Sequence, residues 1–333
     1  MATSGSWNYS LTAANLILIA LEDIGQVQSG ESVDSDDETV ALRALNLLVK
    51  QWQGRADGAP GLKVWTRQRI TLALALGQQA YLIGPGSSDA RASTQVGRTT
   101  IRVAEAAGQT ILDVTARTDT TTYPGTTITM TDADIIGIQT DNSGGDDIFW
   151  STISSSSGTG PTVTLAAALP TGQPAAVGNY VWWFTSRAQR FPHVEAAVLR
   201  DADRTDTDLR IYTDVREYDL GVPDKYADGD PTAILVEPLL TQTRVTLDSQ
   251  PSDVTKQIIL TVIYPAEDYD ATANDVAFPQ EWYAALEWEL ARRICPKFQK
   301  KWTEEMNMNW EQATQIARQL NPENINVYAR RDD

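Results

Sequence analysis

The apolar residues of this chain recur with two different periods. Near the start, Ala13, Leu16, Ile17, Ala20, Leu21 and Ile24 follow i, i+3, i+4, i+7 steps, which predicts an amphipathic helix over Leu11–Ile24. Ser10 or Thr12 can cap it, and Gly25 ends it. A polar link, Ser29–Asp37, leads to a second helix over Asp36–Trp52. Val40, Ala41, Ala44, Leu45, Leu48, Val49 and Trp52 share one of its faces, and Asp36, Asp37 and Glu38 occupy the turn where the helix dipole favours acids. The same period returns at the far end, in Phe278–Cys295. There Trp282, Leu286, Leu290 and Ile294 form one stripe, Pro279 suits a first turn, and Pro296 stops the run. A fourth helix, Glu304–Leu320, carries Met306, Trp310, Ala313, Ile316, Ala317 and Leu320 on one face and ends at Asn321-Pro322.

Between these helices the period is two. Ile70, Leu72, Leu74 and Leu76 alternate with smaller residues, and Ala80–Ile83 continues after a Gly77–Gln79 turn. From Ser87 to Ser186 the composition shifts to Ser, Thr, Gly and Ala. Short β-prone runs fall at Thr99–Val103, Gln109–Val114, Thr126–Met130, Ile135–Gln139, Ile148–Ile153, Thr162–Leu165 and Tyr180–Phe184, with turn residues between them. This pattern predicts a small all-β domain inserted into a host. Strands resume at Val194–Leu199, Arg210–Tyr212, Ile234–Val236, Arg244–Leu247 and Gln257–Tyr264. The expected fold class is α+β: an α-helical core formed by the N- and C-terminal helices, with β structure between them and the inserted β domain. The expected boundaries are 1–86 for the first helices and strands, 87–186 for the insertion, 187–320 for the remaining core and 321–333 for a polar extended tail.

Composition narrows the function classes. Hydrophobic residues make up 42% of the 333, enough for a core. No apolar run approaches the roughly 20 residues that span a bilayer, and MATSGSWNYS lacks the charged and apolar blocks of a signal peptide. The net charge of −17 makes the chain a poor gripper of DNA phosphates and suits a surface past which DNA slides. A single cysteine, Cys295, excludes an internal disulfide and a multi-cysteine metal site.

Little chemistry is on offer. His193 is the only histidine and forms neither a histidine-based metal site nor a catalytic triad alone. Cys295 ends an apolar helix and reads as a buried thiol. No serine sits in a G-x-S-x-G turn, and there is no phosphate-binding glycine motif. Asp201–Asp208 has calcium-loop spacing but lacks the central glycine and closing glutamate, so it reads as a solvated loop. Asp141–Asp147 reads as a turn. The 44 acidic residues offer many glycosidase-like pairs, and nothing singles one out. Trp182-Trp183 in one strand places one ring on each face. On a half-buried strand one ring is exposed, which suits a protein surface or a sugar platform. The expectation is no catalytic residue, no metal and no cofactor.

Several pieces carry a resemblance. They are Ala20–Gly25, Ala41–Trp52, Leu62–Trp65, Leu76–Tyr81, Val198–Asp201, Glu217-Tyr218, Asp224-Lys225, Gly229–Pro231, and Phe278–Trp282 with Ala285-Leu286 and Leu290-Ala291. In this order the chain resembles the head-to-tail adaptors of tailed bacteriophages, also called tail accessory or packaged-DNA-stabilisation proteins. The resemblance implies a non-enzymatic virion protein at the head–tail interface, assembled in the host cytoplasm. It implies a homo-oligomeric ring, twelve-fold in this family, below the portal protein. The ring extends the DNA channel, helps retain packaged DNA that passes without specific binding, and offers tail hub or nozzle proteins an attachment surface; no membrane is involved. Within that reading the tail residues Asn326, Tyr328, Arg330 and Arg331 are the portal-binding candidates. The alternative is a carbohydrate-binding virion or surface protein that uses the β insertion and its tryptophan pair.

Overall fold

In a computed structural model of the 333-residue chain, the structure describes residues 9–54, 66–84, 92–122, 126–141, 147–156 and 160–320. The chain forms two compact units: Met1–Thr66 with Pro265–Asp333, and Arg67–Tyr264.

The first unit holds helices α1 (Ala13–Asp23), α2 (Ser35–Gly54), α4 (Tyr283–Ile294) and α5 (Glu304–Leu320), with a 3-10 turn over Gln280–Trp282. Thr12 caps α1 by accepting a hydrogen bond from the Asn15 N–H at 3.3 Å. Gly25 follows it at φ +68°, the left-handed conformation that glycine adopts without a Cβ clash. Leu16, Ile17, Leu21, Leu45, Leu48, Trp282, Leu286, Leu290 and Ile294 are all buried in one apolar cluster. The Trp52 ring meets Trp282 edge-on at 6.2 Å and contributes to that packing. The apolar face of α5 is narrower than its sequence suggests: Ala317 is buried, while Ile316 is 47% exposed.

The second unit is β-rich. A five-stranded sheet has the order β13-β12-β17-β1-β3, comprising Asp206–Asp208, His193–Arg200, Gln257–Ile263, Arg67–Ala73 and Ala92–Ser93. A four-stranded sheet has the order β14-β15-β16-β2, comprising Arg210–Tyr212, Ala233–Pro238, Thr243–Leu247 and Ala80–Ile83. The two bury alternate residues in a shared cluster, among them Ile70 and Leu72 of β1, Leu260 and Val262 of β17, and Val245 and Leu247 of β16. Period-two alternation puts these residues on one face of each sheet. A short helix, α3 (Val215–Gly221), packs Tyr218 against Tyr212 and Leu235 in a separate cluster.

A six-stranded sheet draws on residues 97–184 alone, in the order β4-β11-β8-β9-β10-β5. Its strands are Gly97–Thr100, Tyr180–Phe184, Ile135–Thr140, Asp147–Ser155, Thr162–Leu165 and Ile111–Asp113. One face buries Ile136, Ile138, Val181 and Trp183, and the other buries Trp182 and Phe184 with Val96 and Ala73. Two strand glycines make room for indoles. Trp183 stands directly across from Gly97, and Trp150 directly across from Gly137. A Cβ on Gly137 would lie 2.8 Å from the Trp150 ring. A remaining two-stranded ladder pairs β6 (Thr118–Asp119) with β7 (Ile128–Thr129).

The expected fold class, α+β around an α-helical core, is corrected by this structure. The chain is mostly β, 32% strand against 23% helix, with several sheets and, among the described residues, five α-helices. Four of the five apolar clusters lie in the β-rich unit. The strands bury their apolar faces against one another, β11 on both of its faces, and carry their own cores instead of hanging on a helical one.

Candidate functional site

The proposed portal-binding residues Asn326, Tyr328, Arg330 and Arg331 lie outside the described residues. Of the pieces that carry the adaptor resemblance, Leu62–Trp65 also lies outside the described residues, and several of the others meet in space. The Gln79 side-chain amide, in the turn between β1 and β2, donates to the Lys225 carbonyl at 2.7 Å and the Leu247 carbonyl at 2.8 Å. The Tyr218 hydroxyl of α3 donates to the same Leu247 carbonyl at 2.7 Å, which fills both of its lone pairs. Burial pushes the Tyr218 hydroxyl above its ordinary pKa and keeps it a donor. The Lys225 ammonium lies 5.7 Å from the Tyr218 ring and 2.9 Å from Asp219. Tyr81, from the same motif as Gln79, accepts the Ala75 N–H at 3.0 Å. A second junction forms where Lys256 reaches Asp201 at 3.2 Å and Asp230 at 2.5 Å. The Gln79 and Tyr218 hydrogen bonds and the Lys256 bridges join residues 26 to 168 positions apart, and each one fixes a turn or a strand end.

The tempting single residues resolve differently. Cys295 is buried, and its thiol contacts the Lys300 carbonyl at 3.3 Å. Burial pushes that thiol up, away from the reactive thiolate. His193 stands at the exposed start of β12, opposite Ile263.

The Asp201–Asp208 segment is a β12–β13 hairpin, and three of its four carboxylates already have partners. Asp206 takes a two-pronged bond from Arg200 at 2.6 and 2.7 Å, Asp201 takes Lys256, and Asp203 accepts the Thr205 N–H at 3.1 Å. Of Asp141–Asp147, residues 142–146 lie outside the described residues, and Asp141 accepts the Asn179 amide at 3.0 Å. Among the described residues, no group of three or more His, Cys, Asp or Glu side chains is placed to hold a metal.

The tryptophan pair corrects the sequence reading. Trp182 is 1% exposed and Trp183 0%. The rings do point to opposite faces, but both faces of β11 are covered, so neither ring is free for a sugar.

Two polar clusters escaped the sequence reading. Asp23, at the end of α1, hydrogen-bonds Glu287 of α4. Burial, then the Asp23 charge, raises Glu287 to about 7, so at acid pH it holds the proton and donates to Asp23. In the β-rich unit, Asp119 accepts the Arg98 N–H at 2.9 Å, the Thr121 N–H at 2.8 Å and the Thr122 N–H at 3.0 Å, as well as both threonine hydroxyls. Burial opposes its ionisation, but these donors outweigh burial and hold Asp119 down at about 2. Asp23 and Glu287 lie far apart in sequence, and while Asp119, Thr121 and Thr122 form a local turn, only the fold brings the Arg98 N–H to it.

No protein-family model matches the chain, and no curated protein matches it.

Proposed function

We propose that the chain is a structural head-to-tail adaptor of a tailed bacteriophage, a non-enzymatic subunit of a ring below the portal. In this role it lines the DNA channel, helps hold packaged DNA and offers tail proteins a lower face. The observation that carries the reading is the convergence of Gln79, Tyr218 and Lys225 around the Leu247 carbonyl. These residues come from three separate pieces of the resemblance, and their bonds are architectural. A motif set of this kind marks a shared fold rather than a shared reaction.

Two further features suit the role. A net charge of −17 favours passage of DNA over capture. Apolar side chains stand in solvent where subunits could meet: Leu240 is 93% exposed on the turn after β15, and Leu220 is 77% exposed on α3. The sugar-binding alternative loses its platform with the burial of Trp182 and Trp183.

Particles assembled without the protein test the reading. An adaptor's absence gives heads that package DNA, leak it on purification and carry no tail. Tailed, DNA-filled particles of normal stability would refute it.

A further inference from the structure

We infer that the β-rich unit contains a binding site for one small inorganic oxyanion, with phosphate as the model ligand. The site is a cavity of about 30 Å³ lined by Arg98, Arg200, Arg204, Thr71, Trp182 and Gln257, among others. A single water occupies roughly 10–15 Å³ on this measure, so the space takes one tetrahedral anion and excludes a nucleotide.

The sheets build this site in pairs. In one ladder Arg98 of β4 stands directly opposite Trp182 of β11. In another, Arg200 of β12 stands directly opposite Gln257 of β17. Two arginines and two N–H donors are thereby brought to one place from two different sheets. The third guanidinium comes from the hairpin after β12. Arg204 holds φ +74°, a strained backbone for a residue with a Cβ. Its guanidinium donates to the Thr121 carbonyl at 2.9 Å and the Thr121 hydroxyl at 3.0 Å. Arg98 donates to the Ala202 carbonyl at 3.1 Å, so the hairpin is tied back over the cavity.

Two observations point to a ligand. The indole N–H of Trp182, a residue 1% exposed, has no hydrogen-bond partner among the described residues, and neither does the buried Gln257 amide nitrogen. Buried donors without a partner call for an acceptor; the Trp150 and Trp183 indoles share this state, and Trp182 is set apart by the three guanidiniums that line the same cavity. The charge is also unbalanced. Asp206 neutralises Arg200, and Asp119 lies near Arg98, bonded to its backbone N–H. Three guanidiniums thus face two carboxylates, in a chain whose overall charge is −17. Among the described residues, the nearby Asp201 and Asp203 are bonded to Lys256 and to the Thr205 N–H. Burial, and then the neighbouring Arg204 charge, depress the Arg98 guanidinium. An oxyanion would relieve that repulsion and accept from both orphaned donors.

The test is a titration of the full-length protein with inorganic phosphate, followed through the indole N–H signals in a ¹⁵N–¹H spectrum. Trp182→Phe identifies the Trp182 signal by its loss while keeping an aromatic ring in the core. The site requires that signal to move saturably with phosphate or sulfate, and to move little with chloride at matched ionic strength. Arg204→Gln, on the exposed hairpin, should weaken the response roughly tenfold, as loss of a charge-assisted contact implies. A Trp182 signal that ignores phosphate, or follows chloride equally, overturns the inference. A response to duplex DNA without one to free phosphate overturns it as well, because the ligand would then be a nucleic-acid backbone.

Discussion

Gly97 of β4 lies directly across from Trp183 of β11, and the indole covers the glycine where a side chain would stand. Both residues are buried, Trp183 completely. A bare glycine weakens a strand interior, and a cross-strand aromatic ring restores the missing packing. Gly97→Ala places a Cβ into that ring. The expected cost is about 1–3 kcal/mol, the usual penalty for overpacking a core, read as a lower urea midpoint with an unchanged slope. An unaffected midpoint would mean that the strand pair yields more easily than its register suggests.

Asp119 is a structural anion. It is 4% exposed and takes backbone N–H bonds from Arg98, Thr121 and Thr122. Removing it by Asp119→Ala leaves those donors buried and unpaired, at roughly 1–3 kcal/mol. The pH dependence has a definite sign. The folded pKa of about 2 lies below the ordinary 3.8, so this stabilisation is present above about pH 4 and is lost as pH falls through 2. Acid unfolding followed by circular dichroism should be less steep in Asp119→Asn than in the parent chain.

The Asp23–Glu287 pair has the opposite sign. Glu287 rises from 4.5 to about 7 through burial and then through its acidic neighbour, and Asp23 is also raised. Its contribution is full below the ordinary 4.5 and is lost as pH climbs through 7. Thermal unfolding should therefore give a higher Tm near pH 5 than near pH 8. Glu287→Gln should remove most of that difference and stabilise the chain at pH 8 by on the order of 1–2 kcal/mol, a figure discounted for solvent screening at a half-buried pair. Parallel Tm curves for both proteins would contradict the assignment.

How far this architecture is legible in the sequence depends on the range of the forces involved. Helix α1 is readable because its stripe, its Thr12 cap and Gly25 all lie within one short segment. The alternation of β17 is equally local, and its bounds match the sequence reading closely. Helix α3 was missed: its seven residues, Val215–Gly221, carry too few turns for a stripe, and Tyr218 is its one buried anchor. The balance of the fold was misjudged for a related reason. Alternation shows that a strand has an apolar face, but not that its other face is covered, and β11 is covered on both. That double burial also turned Trp182 from a candidate platform into a core residue. The arginine-lined cavity was beyond reach, since Arg98 and Arg200 stand 102 positions apart and only the sheet registers bring their partners together.

The adaptor reading makes one claim that is directly measurable, namely association with a portal ring. Native mass spectrometry of the purified full-length protein, alone and mixed with the portal of the same phage, reads it as mass. The expected result is a stoichiometric ring-on-ring complex, consistent with twelve copies on a twelve-fold portal. The same mixture with a chain lacking Asn321–Asp333 tests the segment that carries Tyr328, Arg330 and Arg331 as the anchor. Loss of the complex assigns the anchor to that segment, and survival places it elsewhere on the adaptor. A full-length chain that forms no complex with the portal at any ratio would contradict the proposed function.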